Sequence, residues 1–133
     1  FLEIFTHSSH PTSRHCRSLF FLRNFGDCHF ESEEHGGDRG GVFESAAELF
    51  RAMAAPVRLK IISVLCNGEK NVTELLASIA TTQPNMSQHL NTLYQAGVLG
   101  RRREGVSIYY FIANEQAAQM CCAICTQVAI EQG

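Results

Sequence analysis

The spacing of apolar residues changes within the second half of this chain, and that change constrains the fold more than any other feature. From Phe43 to about Gly97, apolar residues recur at intervals of three and four, which predicts amphipathic helices. From Val98 to Ile112 the chain reads as two short strands around Glu104-Gly105, a pair typical of a hairpin turn. The sequence therefore predicts several packed helices followed by a β-hairpin.

Capping residues and prolines place the helix boundaries within this region. Proline suits the first turn of a helix, and a side-chain oxygen placed just before a helix bonds its unpaired backbone N–H groups. After a first helix from about Phe43 to Met53, the other four begin at Pro56 and after Asn71, Thr82 and Asn114. We predict a mostly α winged helix-turn-helix, with five helices and a two-stranded antiparallel wing.

The first 41 residues differ in composition from the rest of the chain. They contain five of the six histidines and show no sustained periodicity. We interpret residues 1–41 as a disordered or non-native N-terminal extension, and residues 42–133 as one domain for DNA binding and dimerisation. No apolar stretch approaches the roughly 20 residues of a membrane-spanning helix, and no signal peptide is evident. We therefore expect no membrane partner and a cytoplasmic location.

The fourth helix carries polar residues that suit contact with DNA. Amide and hydroxyl side chains bond base edges or phosphates in the major groove. No acidic residue occurs from Ala77 to Arg103, as repulsion by a polyanion would require. The alternative is that these residues only solvate a surface helix. The predicted DNA-reading residues are Gln83, Asn85, Ser87, Gln88 and His89.

Three consecutive arginines precede the predicted hairpin turn. In a strand, alternation sends Arg101 and Arg103 to one face and Arg102 to the other. Such a run is usually a solvated strand edge, but on a wing it can reach phosphates or the minor groove. Since the formal net charge of the chain is only -2, a local patch must attract double-stranded DNA. We expect at least one of these arginines to contact the DNA backbone.

Residues 43–130 resemble the ArsR/SmtB family of winged-helix repressors. The resemblance implies a homodimer, formed by the first and last helices, that represses a promoter with an imperfect inverted repeat. It also implies release from DNA when an inducer binds, and no enzymatic activity. The segments that carry the resemblance are Ala55-Pro56-Val57-Arg58-Leu59, Ser87-Gln88-His89-Leu90, Ala96-Gly97-Val98-Leu99, and Arg103-Glu104-Gly105 followed by Tyr109-Tyr110.

Two sensor sites that occur in this family are missing here. The third helix lacks the Cys-x-Cys of one arsenic-sensing type, and the last helix lacks the Asp and His of a zinc-sensing type. Thiols remain, and three of them within one helical turn suit a soft ion such as As(III) or Sb(III). Some arsenic repressors of the family use a similar cluster on the terminal helix. The candidate sensing residues are Cys121, Cys122 and Cys125 on the last helix and Cys66 at the end of the second.

A second branch of the family senses reactive sulfur with one cysteine on the second helix and one on the last. Here the candidate pair is Cys66 and Cys125. The chain departs from that branch because Ser63 stands where the second-helix cysteine is expected, and because its last-helix cysteines are displaced toward the N-terminus. Arsenite or antimonite and reactive sulfur species both stay open as thiol-reactive inducers.

Two further interpretations compete with thiol sensing. Cys121 and Cys125 also fit the apolar stripe of the last helix, so the cysteines of a DNA-binding regulator can be purely structural. More remotely, the spacing of Cys122 and Cys125 suggests a CxxC thiol oxidoreductase. That motif normally begins a helix within a βαβ unit, which this chain does not predict.

Overall fold

The computed structural model describes the backbone of residues 39–133 and the side chains from residue 41 onward, so residues 1–38 of the extension predicted over residues 1–41 lie outside the described range. Within that range the five predicted helices and the small antiparallel sheet are confirmed. In chain order the elements are α1 (Arg39–Met53), α2 (Pro56–Leu65), β1 (Lys70–Asn71), α3 (Val72–Ser78), α4 (Gln83–Gln95), β2 (Leu99–Glu104), β3 (Ser107–Ile112) and α5 (Glu115–Gln132).

The predicted caps start α3, α4 and α5. The Asn71 side chain accepts a hydrogen bond from the Glu74 backbone N–H at 2.9 Å, and the Glu74 carboxylate accepts one from the Asn71 N–H at 2.8 Å. Thr82 caps α4 and Asn114 caps α5 in the same way, each by accepting from a backbone N–H in the first turn. These bonds satisfy donors that a helix leaves unpaired, so local sequence alone sets where the three helices begin.

Helix α1 begins at Arg39, four residues before the position predicted from sequence. The helix thus includes Gly40 and Gly41, which the sequence pattern assigns to the end of the N-terminal extension. A glycine inside a helix is disfavoured by about 1 kcal/mol relative to alanine but does not break the backbone hydrogen bonds. The glycines therefore lie within the first turn of α1 and do not precede it.

A third strand joins the hairpin, where two strands were predicted. In strand β1, Lys70 pairs with Tyr110 and Asn71 with Tyr109, giving the order β1-β3-β2. Two residues are too few to show alternation, and their partner strand lies far along the chain, so sequence patterning carries no signal for β1. The third strand ties the end of the α2–α3 connection to the wing.

A single core holds the helices and the sheet together. The apolar spacing of α4 predicts that Met86, Leu90, Leu93 and Tyr94 face inward, and the first three are fully buried, whereas Tyr94 is only half-buried. Burial of such side chains is the main source of stability in a domain of this size. Among residues 39–133, no helix combines the length and apolarity needed to cross a bilayer. The largest fully buried side chains are Ile61, Ile62, Leu75, Met86, Leu90, Leu93, Val98 and Leu99.

An aromatic ring covers a glycine within the hairpin. Gly100 pairs with Phe111 across β2 and β3, and a Cβ added to Gly100 would overlap with Cζ of Phe111. The two carbon atoms would lie well within their van der Waals contact distance. The ring therefore occupies the space that any larger residue at position 100 would need.

We expect Gly100→Ala to lower the free energy of unfolding by about 1 kcal/mol, because the Phe111 ring must rotate away. Thermal or urea unfolding of G100A, F111A and the double variant would measure this cost and its dependence on the ring. In the F111A background the substitution should be neutral or stabilising, since alanine loses less backbone entropy than glycine. An equal loss in both backgrounds would contradict the steric explanation.

Candidate nucleic-acid interface and thiol pair

The polar side of α4 is exposed, opposite the stripe that enters the core. Gln83, Asn85, Ser87 and Gln88 are all exposed, and they occupy the first two turns of the helix. In helix-turn-helix proteins the N-terminal residues of the second helix contact base edges in the major groove. The structure thus presents these four predicted residues together, on the part of α4 that suits DNA contact.

His89 is placed differently from the other four predicted residues. It is half-buried, and its Nδ1 lies 3.4 Å from Nη1 of Arg58 on α2. A guanidinium can only donate hydrogen bonds, so Nδ1 acts as the acceptor and the neutral ring carries its proton on Nε2. His89 is therefore tied to α2, and the group it can offer to DNA is the Nε2–H donor. The contact joins residues 31 positions apart, for which the sequence has no signal.

Two of the three arginines lie close to α4 or to the tip of the wing. The Arg101 guanidinium covers the Tyr94 ring of α4 at 4.2 Å from the ring centroid. Arg103 donates from Nε to the carbonyl oxygen of Gly105 at 3.0 Å, within the hairpin turn. Both side chains are exposed. Arg101 and Arg103 therefore place positive charge on the wing, next to the polar surface of α4.

Arg102 is engaged with the protein itself. It donates from Nε and Nη2 to the two carboxylate oxygens of Glu69, with the Nε bond at 2.8 Å, and from Nη1 to Glu104 at 2.6 Å. Its guanidinium also lies over the Tyr109 ring, 4.8 Å from the centroid. Hydrogen bonds to Glu69 and Glu104 raise the pKa of Arg102, and the bond from Arg102 lowers the pKa of Glu69. Arg102 thus has fewer donors left for phosphate than its neighbours.

A pair of thiols joins α2 to α5. Cys66, the C-terminal cap of α2, has its Sγ 3.5 Å from Sγ of Cys122 on α5. The sequence had suggested Cys125 as the partner of Cys66, but Cys125 is exposed and Cys122 takes that place. A helix turns by about 100° per residue, so positions three apart differ by about 60° in direction and 4.5 Å along the axis. That difference decides which thiol meets α2.

The thiols differ in their readiness to ionise. A hydrogen bond from Cys66 lowers the pKa of Cys122 to about 7, against an ordinary value of 9.0. Burial raises the pKa of Cys121 to about 12, and the neighbouring thiols of Cys125 and Cys122 add to this shift. Because the thiolate is the nucleophile, Cys122 is the reactive thiol of this pair at neutral pH.

Two thiol contacts stand out among the four cysteines of α2 and α5. Cys66 meets Cys122, whereas Cys121 turns into the core and contacts Cys125. In the part of the chain that the structure describes, no group of three or more His, Cys, Asp or Glu side chains is arranged to hold a metal ion. The three-sulfur site expected for As(III) or Sb(III) is therefore not formed within one described chain.

Comparisons with known proteins agree with this architecture. The profile of the bacterial regulatory protein arsR family matches residues 55–99. The HTH-type transcriptional repressor SmtB of Mycobacterium tuberculosis is 38% identical over 79 residues, or 59% of this chain and 58% of that protein. The crystal structure of the transcriptional repressor BigR from Xylella fastidiosa is 34% identical, with a TM-score of 0.61 over 67% of this chain and 91% of BigR.

A further match is the homodimeric winged helix-turn-helix DNA-binding domain Mb0332 of Mycobacterium bovis. It is 26% identical, with a TM-score of 0.63 over 74% of this chain and 90% of that domain. The fold and the exposed face of α4 define a winged helix-turn-helix transcription regulator, a class whose fold implies DNA binding. Within that class, the chain belongs to the ArsR/SmtB family of bacterial regulators. Members of this family are not enzymes.

We expect Gln88→Ala to weaken binding to DNA from upstream of the encoding gene by about 5- to 150-fold, since a well-placed amide contributes about 1–3 kcal/mol of base discrimination. Gln95→Ala is the matched control, because Gln95 is an exposed glutamine at the other end of α4. Fluorescence anisotropy titrations at fixed salt would compare the two variants. Equal affinities would argue against α4 as the reading helix.

We expect alkylation of Cys122 to reach half of its maximal rate near pH 7, and to slow as the pH falls below that value and the thiolate is protonated. Replacing Cys66 with alanine removes the hydrogen bond and should move this midpoint upward, toward 9.0. Peptide mass spectrometry after timed iodoacetamide exposure would follow each cysteine separately. A midpoint that does not change in C66A would show that Cys66 does not stabilise the thiolate.

Proposed function

We propose that this chain is a homodimeric transcriptional repressor that leaves its operator when a reactive sulfur species joins Cys66 to Cys122. The observation that carries the proposal is the 3.5 Å separation of these two sulfurs, on separate helices of a DNA-binding fold. A disulfide needs an S–S distance of about 2.05 Å, so a relative movement of roughly 1.5 Å would allow the bond to form.

DNA binding is assigned to the exposed face of α4, with the wing beside it. Gln83, Asn85, Ser87 and Gln88 would read base edges, and the Nε2–H of His89 would add a donor. Arg101 and Arg103 would contact phosphates, since both are exposed and lie beside α4 or the hairpin turn. Such a repressor acts on chromosomal DNA, so a cytoplasmic location is part of the proposal.

The homodimer is supported by apolar side chains exposed on α1 and α5. Large apolar side chains left exposed on helices are typical of a surface that a partner covers. The homodimeric relative Mb0332 supports a second copy of this chain as the partner. Dimer symmetry would set two α4 helices about one DNA turn apart, which fits an imperfect inverted repeat. The exposed side chains are Val42, Phe43 and Phe50 on α1 and Ile124, Val128 and Ile130 on α5.

The proposed chemistry begins at Cys122. Its thiolate attacks a terminal sulfur of an inorganic polysulfide, the S–S bond breaks, and the shortened polysulfide leaves with the electron pair. Cys122 then carries a persulfide. Cys66 loses its proton to solvent and attacks Sγ of Cys122, which expels hydrosulfide and forms the Cys66–Cys122 disulfide. The two cysteines are oxidised, and the polysulfide accepts the two electrons.

A disulfide between α2 and α5 would regulate DNA binding by linkage. If oxidation weakens the affinity for DNA by some factor, DNA must oppose oxidation by the same factor. The thiol pair joins a helix of the DNA-binding core to the helix assigned to the dimer interface. It therefore lies where a small shift would alter the spacing of the two α4 helices.

Reactive sulfur is preferred to arsenite because of the number of sulfurs available. Arsenite takes three, and among the described residues no group of three or more His, Cys, Asp or Glu side chains is arranged to hold such an ion. A two-electron oxidation needs only the pair that the structure brings together.

Titration of the reduced repressor with sodium tetrasulfide tests the function directly. We expect the Kd for its upstream DNA to rise by about 5- to 150-fold, the range typical of allosteric coupling, and to recover with dithiothreitol. Cys66→Ser and Cys122→Ser should bind DNA but resist release, because neither can form the bond. Anisotropy with a labelled duplex would give each Kd.

Cys125→Ser is the control, because it removes the exposed thiol of the last helix and leaves the Cys66–Cys122 contact in place. It should still be released by tetrasulfide. Release of the Cys66→Ser, Cys122→Ser double variant would overturn the thiol-pair assignment. Release by arsenite alone, lost in Cys121→Ser or Cys125→Ser, would favour the arsenite-sensing alternative.

A further inference from the structure

We propose that the Glu69–Arg102 ion pair couples the thiol pair to the wing, with Arg102 acting as a positioning residue. This inference deepens the proposed function by naming how oxidation at Cys66 would reach the DNA-binding surface. It assigns Arg102 a role different from that of a direct phosphate contact.

The connection from thiol to wing is short. Only Asn67 and Gly68 separate Cys66 from Glu69. Both are held against the end of α2, because their backbone N–H groups donate to Val64 and Leu65 at 3.2 and 3.1 Å. Glu69 therefore follows directly after the hydrogen-bonded turn that Cys66 begins as the cap of α2. A displacement of Cys66 toward α5 would carry Glu69 with it.

Glu69 binds Arg102 of the wing through two hydrogen bonds, which fix the orientation of the two side chains as well as their separation. Both carboxylate oxygens accept from Arg102, and a two-point contact between planar groups defines their relative orientation. The guanidinium is held on its other sides by Glu104 and by the Tyr109 ring. An exposed ion pair of this kind adds little to the free energy of unfolding. Its role in the proposal is to fix the orientation of the wing relative to Glu69.

A second attachment follows directly along the chain. Lys70 and Asn71 form β1 and pair with Tyr110 and Tyr109 of β3. Tyr109 is also the ring beneath Arg102, so the ion pair and the strand pairing meet at the same residue. The segment from Cys66 to Asn71 thus contacts both strands of the wing, β2 through Arg102 and β3 through the ladder.

Glu69→Gln and Glu104→Gln form a matched pair of variants. Each removes the charge of one carboxylate that binds Arg102, but only Glu69 lies on the turn after Cys66, whereas Glu104 belongs to the wing itself. Both side chains are exposed, so neither change should lower the thermal midpoint. If the two variants respond differently to oxidation, the effect comes from the connection between Glu69 and Cys66. It does not come from the loss of one carboxylate partner of Arg102, because both variants share that loss.

Hydrogen exchange of the β2 amides, measured without DNA, tests the coupling separately from the function. After oxidation by sodium tetrasulfide, with disulfide formation checked by intact mass, exchange at Arg101–Arg103 should change by about fivefold or more, the lower end of typical coupling. The change should occur in full in the wild-type protein and in E104Q, and it should be smaller in E69Q, where only the β1–β3 pairing still joins this segment to the wing. An unchanged wild-type wing, or an E69Q response equal to the wild-type one, would overturn the proposal.

DNA titrations of the same proteins provide a second readout. Arg102→Gln should leave the salt dependence of DNA binding unchanged, whereas Arg103→Gln should lower the slope by about one, as for the loss of one phosphate contact. A loss of slope in R102Q would overturn its positioning role. If tetrasulfide alters wing exchange as expected but does not release DNA, the proposed function fails while the coupling stands.

Discussion

Burial of one face of α4 is the constraint on which the rest of this structure depends. Met86, Leu90 and Leu93 are fully enclosed by the core, so the helix cannot rotate without exposing them to water. Each such side chain contributes about 1.5–3 kcal/mol through burial. Since packing fixes the orientation of α4, its opposite face must project into solvent. The side-chain amides near the N-terminus of α4 are therefore exposed as a consequence of core packing.

The wing packs on the same core, and its three consecutive arginines make different contacts. Arg101 lies over a tyrosine of α4, Arg103 bonds the hairpin turn, and Arg102 faces the other way toward Glu69. Alternation along a strand is enough to separate Arg102 from its neighbours. The contacts of each arginine are then set by the residues on its side of the sheet. A run of like charges thus provides both an exposed cationic surface and an internal attachment.

The two thiol pairs show the same principle on a helix. Cys121 and Cys122 are adjacent in sequence, yet one points into the core and the other meets Cys66, because successive residues diverge by about 100°. Their chemistry diverges accordingly, since burial raises the pKa of Cys121 while a hydrogen bond lowers that of Cys122. The sequence predicted that these cysteines were candidates. It could not predict the partner of Cys66, because that depends on how α2 and α5 cross.

Short stretches of sequence were enough to predict the local features, namely the caps Asn71, Thr82 and Asn114, the inward stripe of α4, and the turn between β2 and β3. Each depends on residues within a few positions of one another, where backbone geometry is nearly independent of the rest of the chain. Sequence patterns did not identify four long-range contacts: the pairing of β1 with β3, and the contacts of Arg58 with His89, Glu69 with Arg102, and Cys66 with Cys122. Those partners lie 31 to 56 residues apart for the side-chain contacts, and their proximity is set by the packing of whole helices, which no short stretch of sequence encodes.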